Sequence, residues 1–289
     1  MSATWPSRCP TVLEYFQTLV GSDDDFALLE AAIALGQDAE PSLDVQAELA
    51  RVDLLAERLT QRLPADASPA HCLRLLNAYF FKELGFGGNV NDYYSADNSY
   101  LHRVLETRRG IPISLAVLYM SLAEAVGLQA HGVSFPGHFL VKVRVPNGEV
   151  IVDPFTGQSL SRQALDERLE PFRQQHGLVG DFDTPLGLFL QAASSRDILV
   201  RMLRNLQLVH RQTGQLDRLL AVQERLVRLL PEQWEERRDR ALVLADLGLF
   251  ERAVADMGSY LEAHPDAGDA ARMAAHLNDW RAQPGSRLY

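Results

Sequence analysis

The C-terminal third of the sequence repeats itself with a period of 34 residues. Gly214 and Gly248 are 34 positions apart, and so are Pro231 and Pro265. In both copies one amphipathic helical pattern precedes the glycine, a second follows it, and the proline ends the unit. Because such a unit buries its apolar face only against a neighbour, the repeat predicts stacked helical hairpins.

A helix–turn–helix unit of this length is typical of tetratricopeptide repeats. The sequence predicts about two repeats and a final helix near 267–280, within a module at 190–289. Stacked repeats of this kind usually bind a partner in their groove. Two repeats form a short groove, so packing against the rest of the protein is an alternative role.

The most apolar stretch of the chain, residues 108–127, predicts a buried helix. Pro112 suits the first turn of a helix, where its missing N–H costs nothing, and Gly127 suits the position after the last turn. The polar residues between them are Ser114, Ser121 and Glu124. A helix that is apolar nearly all round packs inside a protein.

Beyond this helix the apolar residues alternate, which is the pattern of short strands. Strands are predicted over 129–135, 138–145 and 149–153, with a hairpin signal at 147–148. Upstream, the predicted helices are 23–35, 42–63 with Ser42 as N-cap, 69–84, and 100–107 after a polar loop at 85–99.

These elements predict an α+β fold in three consecutive parts. N-terminal helices over 1–70 pack on a core at 71–185, which holds the buried helix and a small antiparallel sheet, and the helical module follows at 190–289. Helices and strands that occupy separate stretches of a chain are typical of α+β proteins.

Composition narrows the function classes. The chain has 38 acids against 28 Lys and Arg, and a net charge of −10 argues against broad nucleic-acid binding. No stretch reaches the length of a membrane span, and the first residues lack the apolar segment of a secretory signal. Cys9 and Cys72 are too few for a disulfide framework or a four-ligand zinc site. We therefore expect a cytoplasmic protein with no membrane partner.

The charge is uneven along the chain. Residues 21–60 hold ten acids and two arginines, whereas 190–230 hold seven arginines and three acids. These stretches form two solvated helical faces in the simpler interpretation. In the alternative, the acidic stretch docks near the basic one.

Three features stand in the order of a cysteine-protease-like site. The buried helix begins at 110–114, His138 begins a predicted strand, and Asp153 ends the next one. In papain-like and transglutaminase-like sites a helix N-terminus lowers the pKa of a thiol, a histidine takes its proton, and an aspartate orients the imidazole. The order predicts that His138 and Asp153 form a pair.

Six stretches carry a resemblance to a known family: LNAYFFKELGFGGN (76–89), NDYY (91–94), DNS (97–99), RRGIPISLAVLYM (108–120), GVSFPGHFLVKV (132–143) and VDPFTG (152–157). In these stretches the sequence resembles the SirB group of bacterial proteins. That group joins a transglutaminase-like core to C-terminal tetratricopeptide repeats. The resemblance implies a cysteine-proteinase-like core fold.

The resemblance also implies that one catalytic group is missing. Active transglutaminase-like proteins carry Gly-x-Cys at the start of the helix, with a small residue four positions after the cysteine. Gly110 and Ala116 match that frame, and the cysteine position falls on Pro112. His138 matches the catalytic histidine and Asp153 the aspartate, so the base and its orienter are kept without a nucleophile.

No other residue replaces the nucleophile in this interpretation. Ser114 lies about 200° round the helix from position 112, so it faces away. Cys72 lies near the start of a different helix and is more simply a buried apolar residue. Cys9 lies close to the N-terminus.

The pairing of His138 with Asp153 depends on the hairpin register. A two-residue Asn-Gly turn would place Asp153 opposite Lys142. A longer loop, with Val143 facing Gly148, would place it opposite His138, and we prefer this register because the shorter turn needs an N–H from a proline. Both registers keep the pair on one face of the hairpin.

The sequence therefore predicts a binding or regulatory protein without acyl-transfer activity, whose partner is a protein or peptide segment held by the pocket or by the repeats. The predicted binding residues are Asn89, Asp92, Tyr93, Tyr94, Asn98, Ser114, His138 and Asp153. We predict no metal and no cofactor, since the histidines lack ligand spacing and no nucleotide-binding motif is present. Two alternatives stay open: a hydrolase or transferase that uses the His138–Asp153 pair without a cysteine, and a scaffold that supports the repeats.

Overall fold

The computed structural model describes residues 10–21, 26–178 and 185–283. Its helices are α1 (Val12–Val20), α2 (Leu28–Ala34), α3 (Val45–Thr60), α4 (Pro69–Asn77), α5 (Leu101–Thr107), α6 (Pro112–Ala125), α7 (Arg162–Gln175), α8 (Ser195–Gln212), α9 (Leu216–Leu229), α10 (Trp234–Asp246), α11 (Phe250–Ala263) and α12 (Ala270–Arg281). Its strands are β1 (Gly87–Gly88), β2 (Arg109–Gly110), β3 (Ala130–Val133), β4 (Leu140–Val145), β5 (Gly148–Asp153) and β6 (Gln158–Leu160). Cys9 and the first three residues of the helix predicted over 23–35 lie outside the described residues.

Contacts divide the chain into two compact units. The core unit comprises Asp24–Gln37 and Ser42–Met202, and the repeat unit comprises Met1–Asp23, Asp38–Pro41 and Leu203–Tyr289. The units are therefore not consecutive stretches of sequence, because α1 packs against α9 and belongs with the repeats. The predicted boundaries at 1–70, 71–185 and 190–289 follow chain order instead.

The central helix α6 forms as its sequence predicts. Pro112 occupies the first turn, most of the helix is buried, and Gly127 adopts the left-handed conformation (φ 73°) that ends it. The four-stranded sheet packs between two helices: α6 contacts β3 and β4, while Leu165 and Leu169 of α7 lie in a cluster with side chains of the opposite face. The buried helix and the small sheet are confirmed.

The antiparallel sheet has the order β3-β4-β5-β6, and its central hairpin has neither of the two predicted registers. Val145 pairs with Gly148, so Pro146 and Asn147 form the turn and Asp153 lies opposite Leu140. This two-residue turn keeps the proline out of the hydrogen-bonded ladder, and Gly148 (φ 137°) begins the return strand. The preference for a longer loop was wrong.

Two local predictions upstream also need correction. The N-cap of α3 is Asp44, not Ser42, and its carboxylate accepts from two backbone N–H groups at 3.0 and 3.1 Å. The helix predicted over 69–84 changes into a π-helical segment, Ala78–Glu83. Within the predicted loop, β1 pairs in parallel with β2 just before α6.

The repeat unit matches the 34-residue period. Gly214 (φ 67°) separates α8 from α9, and Gly248 (φ 75°) separates α10 from α11, so the two glycines occupy equivalent turns. Successive helices from α9 to α12 pack on one another. Arg225, fully buried, forms a two-point ion pair with Asp38 (both 2.7 Å), which joins one acid of the acidic stretch to the basic stretch.

Candidate functional site

His138 and Asp153 lie in direct contact at one end of the sheet. His138 precedes β4, in a turn that includes Gly137 in the left-handed conformation (φ 68°), and Asp153 is the last residue of β5. Because Asp153 lies opposite Leu140, His138 projects two residues away on the same face. The Nε2 atom of His138 is 2.8 Å from Oδ1 of Asp153.

The carboxylate of Asp153 is almost completely buried and is held from three directions. Oδ1 also accepts the backbone N–H of Phe155 at 3.0 Å, and Oδ2 accepts Nη1 of Arg168 at 3.0 Å. Burial raises the pKa of Asp153, but the hydrogen bond and charge of His138, followed by the hydrogen bonds from Arg168 and the Phe155 N–H, lower it to about 2. At neutral pH Asp153 is therefore an ionised acceptor that fixes the imidazole.

Arg168, on α7, was not among the predicted site residues. It neutralises the oxygen of Asp153 that His138 does not use. Both oxygens of Asp153 are therefore engaged, Oδ1 by His138 and Oδ2 by Arg168. No local sequence pattern identifies Arg168, because the contact depends on how α7 packs on the sheet.

Arg201, on α8, is a second residue that sequence reasoning missed. Its Nη2 donates to the backbone carbonyl of His138 at 2.8 Å, and its guanidinium lies 5.5 Å from the centroid of the Phe139 ring. These contacts fix the turn that carries His138, so its imidazole is presented by a restrained backbone. The His138 side chain is 22% exposed, and its described hydrogen bond uses Nε2.

Aromatic side chains stand beside the imidazole. The Phe155 ring meets His138 edge-on, with centroids 6.4 Å apart, and Tyr93 lies 5.9 Å from Phe155. A side chain at Gly88 would collide with the Phe155 ring (2.3 Å), so the close approach requires glycine. Tyr93 and Tyr94 are 43% and 68% exposed, so this aromatic group is available to a partner.

The predicted amide residues hold the loop together. Asn98, buried, donates to the carbonyls of Asp92 (2.6 Å) and Tyr93 (3.1 Å), and Asn89 donates to the side-chain oxygen of Asn98 (3.0 Å). Asn89 in turn accepts the backbone N–H of Asp92 at 3.2 Å. These groups are used inside the loop and position Tyr93 and Tyr94.

Ser114 has a structural role as well. It is fully buried, donates to the carbonyl of Asn98 at 2.6 Å, and accepts the backbone N–H of Ile111 at 3.2 Å. It therefore ties the start of α6 to the loop, and its hydroxyl is not presented to a ligand. Cys72 is buried on α4, with Sγ 3.9 Å from the carbonyl of Ala67.

Two further observations concern the described part of the chain only. No group of three or more His, Cys, Asp or Glu side chains there could hold a metal ion. Among the described helices, none combines the length and apolar character that a membrane crossing requires.

Comparison with known proteins agrees with the two-unit structure. A sequence model of the transglutaminase-like superfamily matches residues 46–204, more than half of the chain. The chain belongs to this superfamily. A sequence model of the tetratricopeptide repeat matches residues 206–278 of the chain, which confirms the repeat assignment.

Curated relatives cover nearly the same length. The protein is 36% identical over 270 residues to a UPF0162 protein of Xylella fastidiosa, covering 93% of this chain and 95% of the relative. It is 29% identical over 244 residues to UPF0162 protein YchA of Escherichia coli, covering 83% and 86%. It is 28% identical over 243 residues to Protein SirB1 of Salmonella typhimurium, covering 82% and 86%. The resemblance to the SirB group is confirmed.

Proposed function

We propose that this transglutaminase-like protein has no acyl-transfer activity and binds a ligand or a peptide segment at the site around His138, in a regulatory role. The observation that carries the proposal is Pro112. It occupies the first turn of α6, where the family frame places the nucleophilic cysteine, and its side chain has no reactive group.

The surroundings of His138 support binding rather than covalent chemistry. Arg168 takes one oxygen of Asp153, so the aspartate is a rigid anchor shared by two partners. Nδ1 of the imidazole can accept or donate one hydrogen bond, and Tyr93, Tyr94 and Phe155 offer apolar area beside it. A fixed polar group next to aromatic surface is a common way to hold a peptide or small ligand.

A thiol probe and a binding measurement test this proposal together. Iodoacetamide should leave the folded protein unlabelled at Cys72, since that thiol is buried. In a fragment and peptide screen followed by NMR, ligands should shift the His138 ring signals, and His138→Gln should abolish their binding while the melting temperature stays nearly unchanged. Labelling of Cys72 that depends on His138, or binding that survives His138→Gln, would reject the proposal.

A hydrolase or transferase that uses the pair without a cysteine is the second candidate. It is favoured by the orientation of His138, whose Nε2 is anchored by Asp153 as in a general base. Turnover of an ester or amide substrate that is lost in both His138→Gln and Asp153→Asn would support it over simple binding.

We place this function in the cytoplasm, since Cys72 is a free thiol. The repeat unit is a second proposed contact for a protein partner.

A further inference from the structure

A cleft of about 870 Å³ opens in the core unit at one edge of the four-stranded sheet. Its walls come from α2, α3, α6 and β3, together with residues at the start of α8. Neither His138 nor Asp153 belongs to this lining, so the cleft is separate from the site described above. Its volume lies in the range of sites that hold small molecules or short segments of chain.

The backbone of β3 is directed into this cleft. β3 ends the strand order, and β4 is its partner on the inner side. The N–H of Arg144 donates to the carbonyl of Gln129 at 2.9 Å, and the register pairs His131 with Lys142. Because alternate residues of an antiparallel strand point their backbone groups to opposite sides, those of Ala130 point away from β4.

A neighbouring residue supports this assignment. The carbonyl of Gly132, which has the same parity as Ala130, accepts the N–H of Ala193 at 2.8 Å from outside the sheet. Ala130 itself forms no hydrogen bond with any described residue outside the ladder. One N–H and one C=O thus remain open, which is what an added antiparallel strand needs for a hydrogen-bonded pair.

The side chains around this edge favour a basic, partly apolar occupant. Glu30 from α2 and Glu124 from α6 lie in the lining, and no lysine or arginine is among its described residues. Glu30 accepts a hydrogen bond from Gln46 (2.8 Å), while Glu124 is exposed. The Arg196 guanidinium lies 5.9 Å from the centroid of the Phe26 ring, but Arg196 does not line the cleft. The lining therefore contains carboxylates without a lysine or arginine to balance them.

We propose that the cleft binds an extended segment of a partner protein, which adds as a strand to the free edge of β3 and places a lysine or arginine side chain beside Glu30 and Glu124. The segment forms its hydrogen-bonded pair with Ala130. Ala193 already occupies the carbonyl of Gly132, and the N–H of Leu128 donates to the carbonyl of Ala123 at 3.0 Å, so Ala130 is where the backbone pair forms and the rest of the segment lies in the cleft. The single backbone pair at Ala130 fixes the register and adds to the affinity, while the side chains that alternate into the cleft supply the remaining affinity and the specificity.

Two substitutions at one position separate edge pairing from general damage. Ala130→Pro removes the open N–H, and because that N–H points away from β4, the ladder inside the sheet is retained. Ala130→Val keeps the N–H and is the matched control. Both variants should retain the amide NMR spectrum of β4 and a melting temperature close to that of the parent.

Random peptides displayed on phage and selected on the full chain provide the probe. We expect enriched peptides to carry a lysine or arginine among β-branched residues. A synthetic copy of one of them should shift the amide signals of Ala130 and Gly132 saturably. Ala130→Pro should weaken its binding about tenfold or more, as the loss of a backbone hydrogen bond predicts. Ala130→Val and His138→Gln should leave the binding unchanged.

Charge reversal gives a second measurement that does not depend on the proline variant. Glu124→Lys should weaken the binding of the basic peptide. It should strengthen the binding of the same peptide with glutamate in place of lysine. The proposal is overturned if no peptide is enriched, if enriched peptides lack basic residues, if the shifts map away from β3, or if Glu124→Lys leaves both affinities unchanged.

Discussion

Asp153 should stabilise the core unit only while its carboxylate is ionised. Burial raises its pKa, but hydrogen bonds from His138, Arg168 and the Phe155 N–H lower the value from 3.8 to about 2. A carboxyl whose pKa is lowered by folding adds stability above its unfolded pKa and loses that stability as the pH falls toward the folded pKa. The loss should therefore occur between about pH 5 and about pH 2.

The magnitude follows from the size of this pKa difference. At about 1.36 kcal/mol for each pKa unit, the drop corresponds to about 2 kcal/mol, of which about half is lost between pH 5 and pH 3. Asp153→Asn keeps the shape of the side chain but cannot ionise. The difference in unfolding free energy between the parent and Asp153→Asn should therefore be about 1 kcal/mol smaller at pH 3 than at pH 5.

Urea denaturation followed through the amide NMR signals of β4 and β5 measures this difference in the core unit alone. Tryptophan fluorescence would not, because the described tryptophans, Trp234 and Trp280, belong to the repeat unit. The range from pH 5 to pH 3 lies below the usual titration of histidine, so the carboxyl dominates the change. A difference that is equal at both pH values, or larger at pH 3, would refute the reasoning.

Three further predictions address other parts of the molecule. Pro112→Cys should place a thiol that iodoacetamide does not label in the folded protein, because the first turn of α6 is buried, and labelling there at pH 7 would contradict that placement. Arg168→Met should raise the pKa of Asp153 above about 2 in a carboxyl ¹³C NMR titration; an unchanged value would show that the ion pair contributes nothing. Gly248→Ala should destabilise the repeat unit by about 1 kcal/mol, because Gly248 has a φ of 75° that alanine adopts only with strain. Gly258→Ala should stabilise the repeat unit by up to about 1 kcal/mol, because Gly258 lies inside α11 with open space around it. Tryptophan fluorescence during urea denaturation checks this pair, and shifts of equal sign would contradict it.

The sequence predicted the central helix and the repeat helices well because their signals are local or periodic, whereas α1 and α7 were not predicted. The 34-residue spacing placed Gly214 and Gly248 at equivalent turns, and the continuous apolar run predicted α6. The hairpin register failed because two turn signals overlap. Asn147-Gly148 favours a turn at those two residues, which would place Pro146 in the ladder. Because Pro146 has no N–H to donate there, the turn falls on Pro146 and Asn147 instead.

The site was predictable only in part. His138 and Asp153 share a face in both predicted registers and in the observed one, because the three differ by two residues or four, so their pairing could be inferred. Arg168 and Arg201 reach the site from α7 and α8, and their contacts depend on helix packing that no local pattern encodes. The roles of Asn98 and Ser114 as loop supports also required the three-dimensional contacts.

The open edge of β3 is short, and this affects how readily the protein aggregates. A long unpaired strand is a template on which other chains aggregate, whereas β3 spans Ala130–Val133 and Ala193 already covers the Gly132 carbonyl. The opposite edge, β6, is also short (Gln158–Leu160). A stray β-strand can therefore gain few hydrogen bonds at either edge, and the fold is protected against uncontrolled self-association through its sheet.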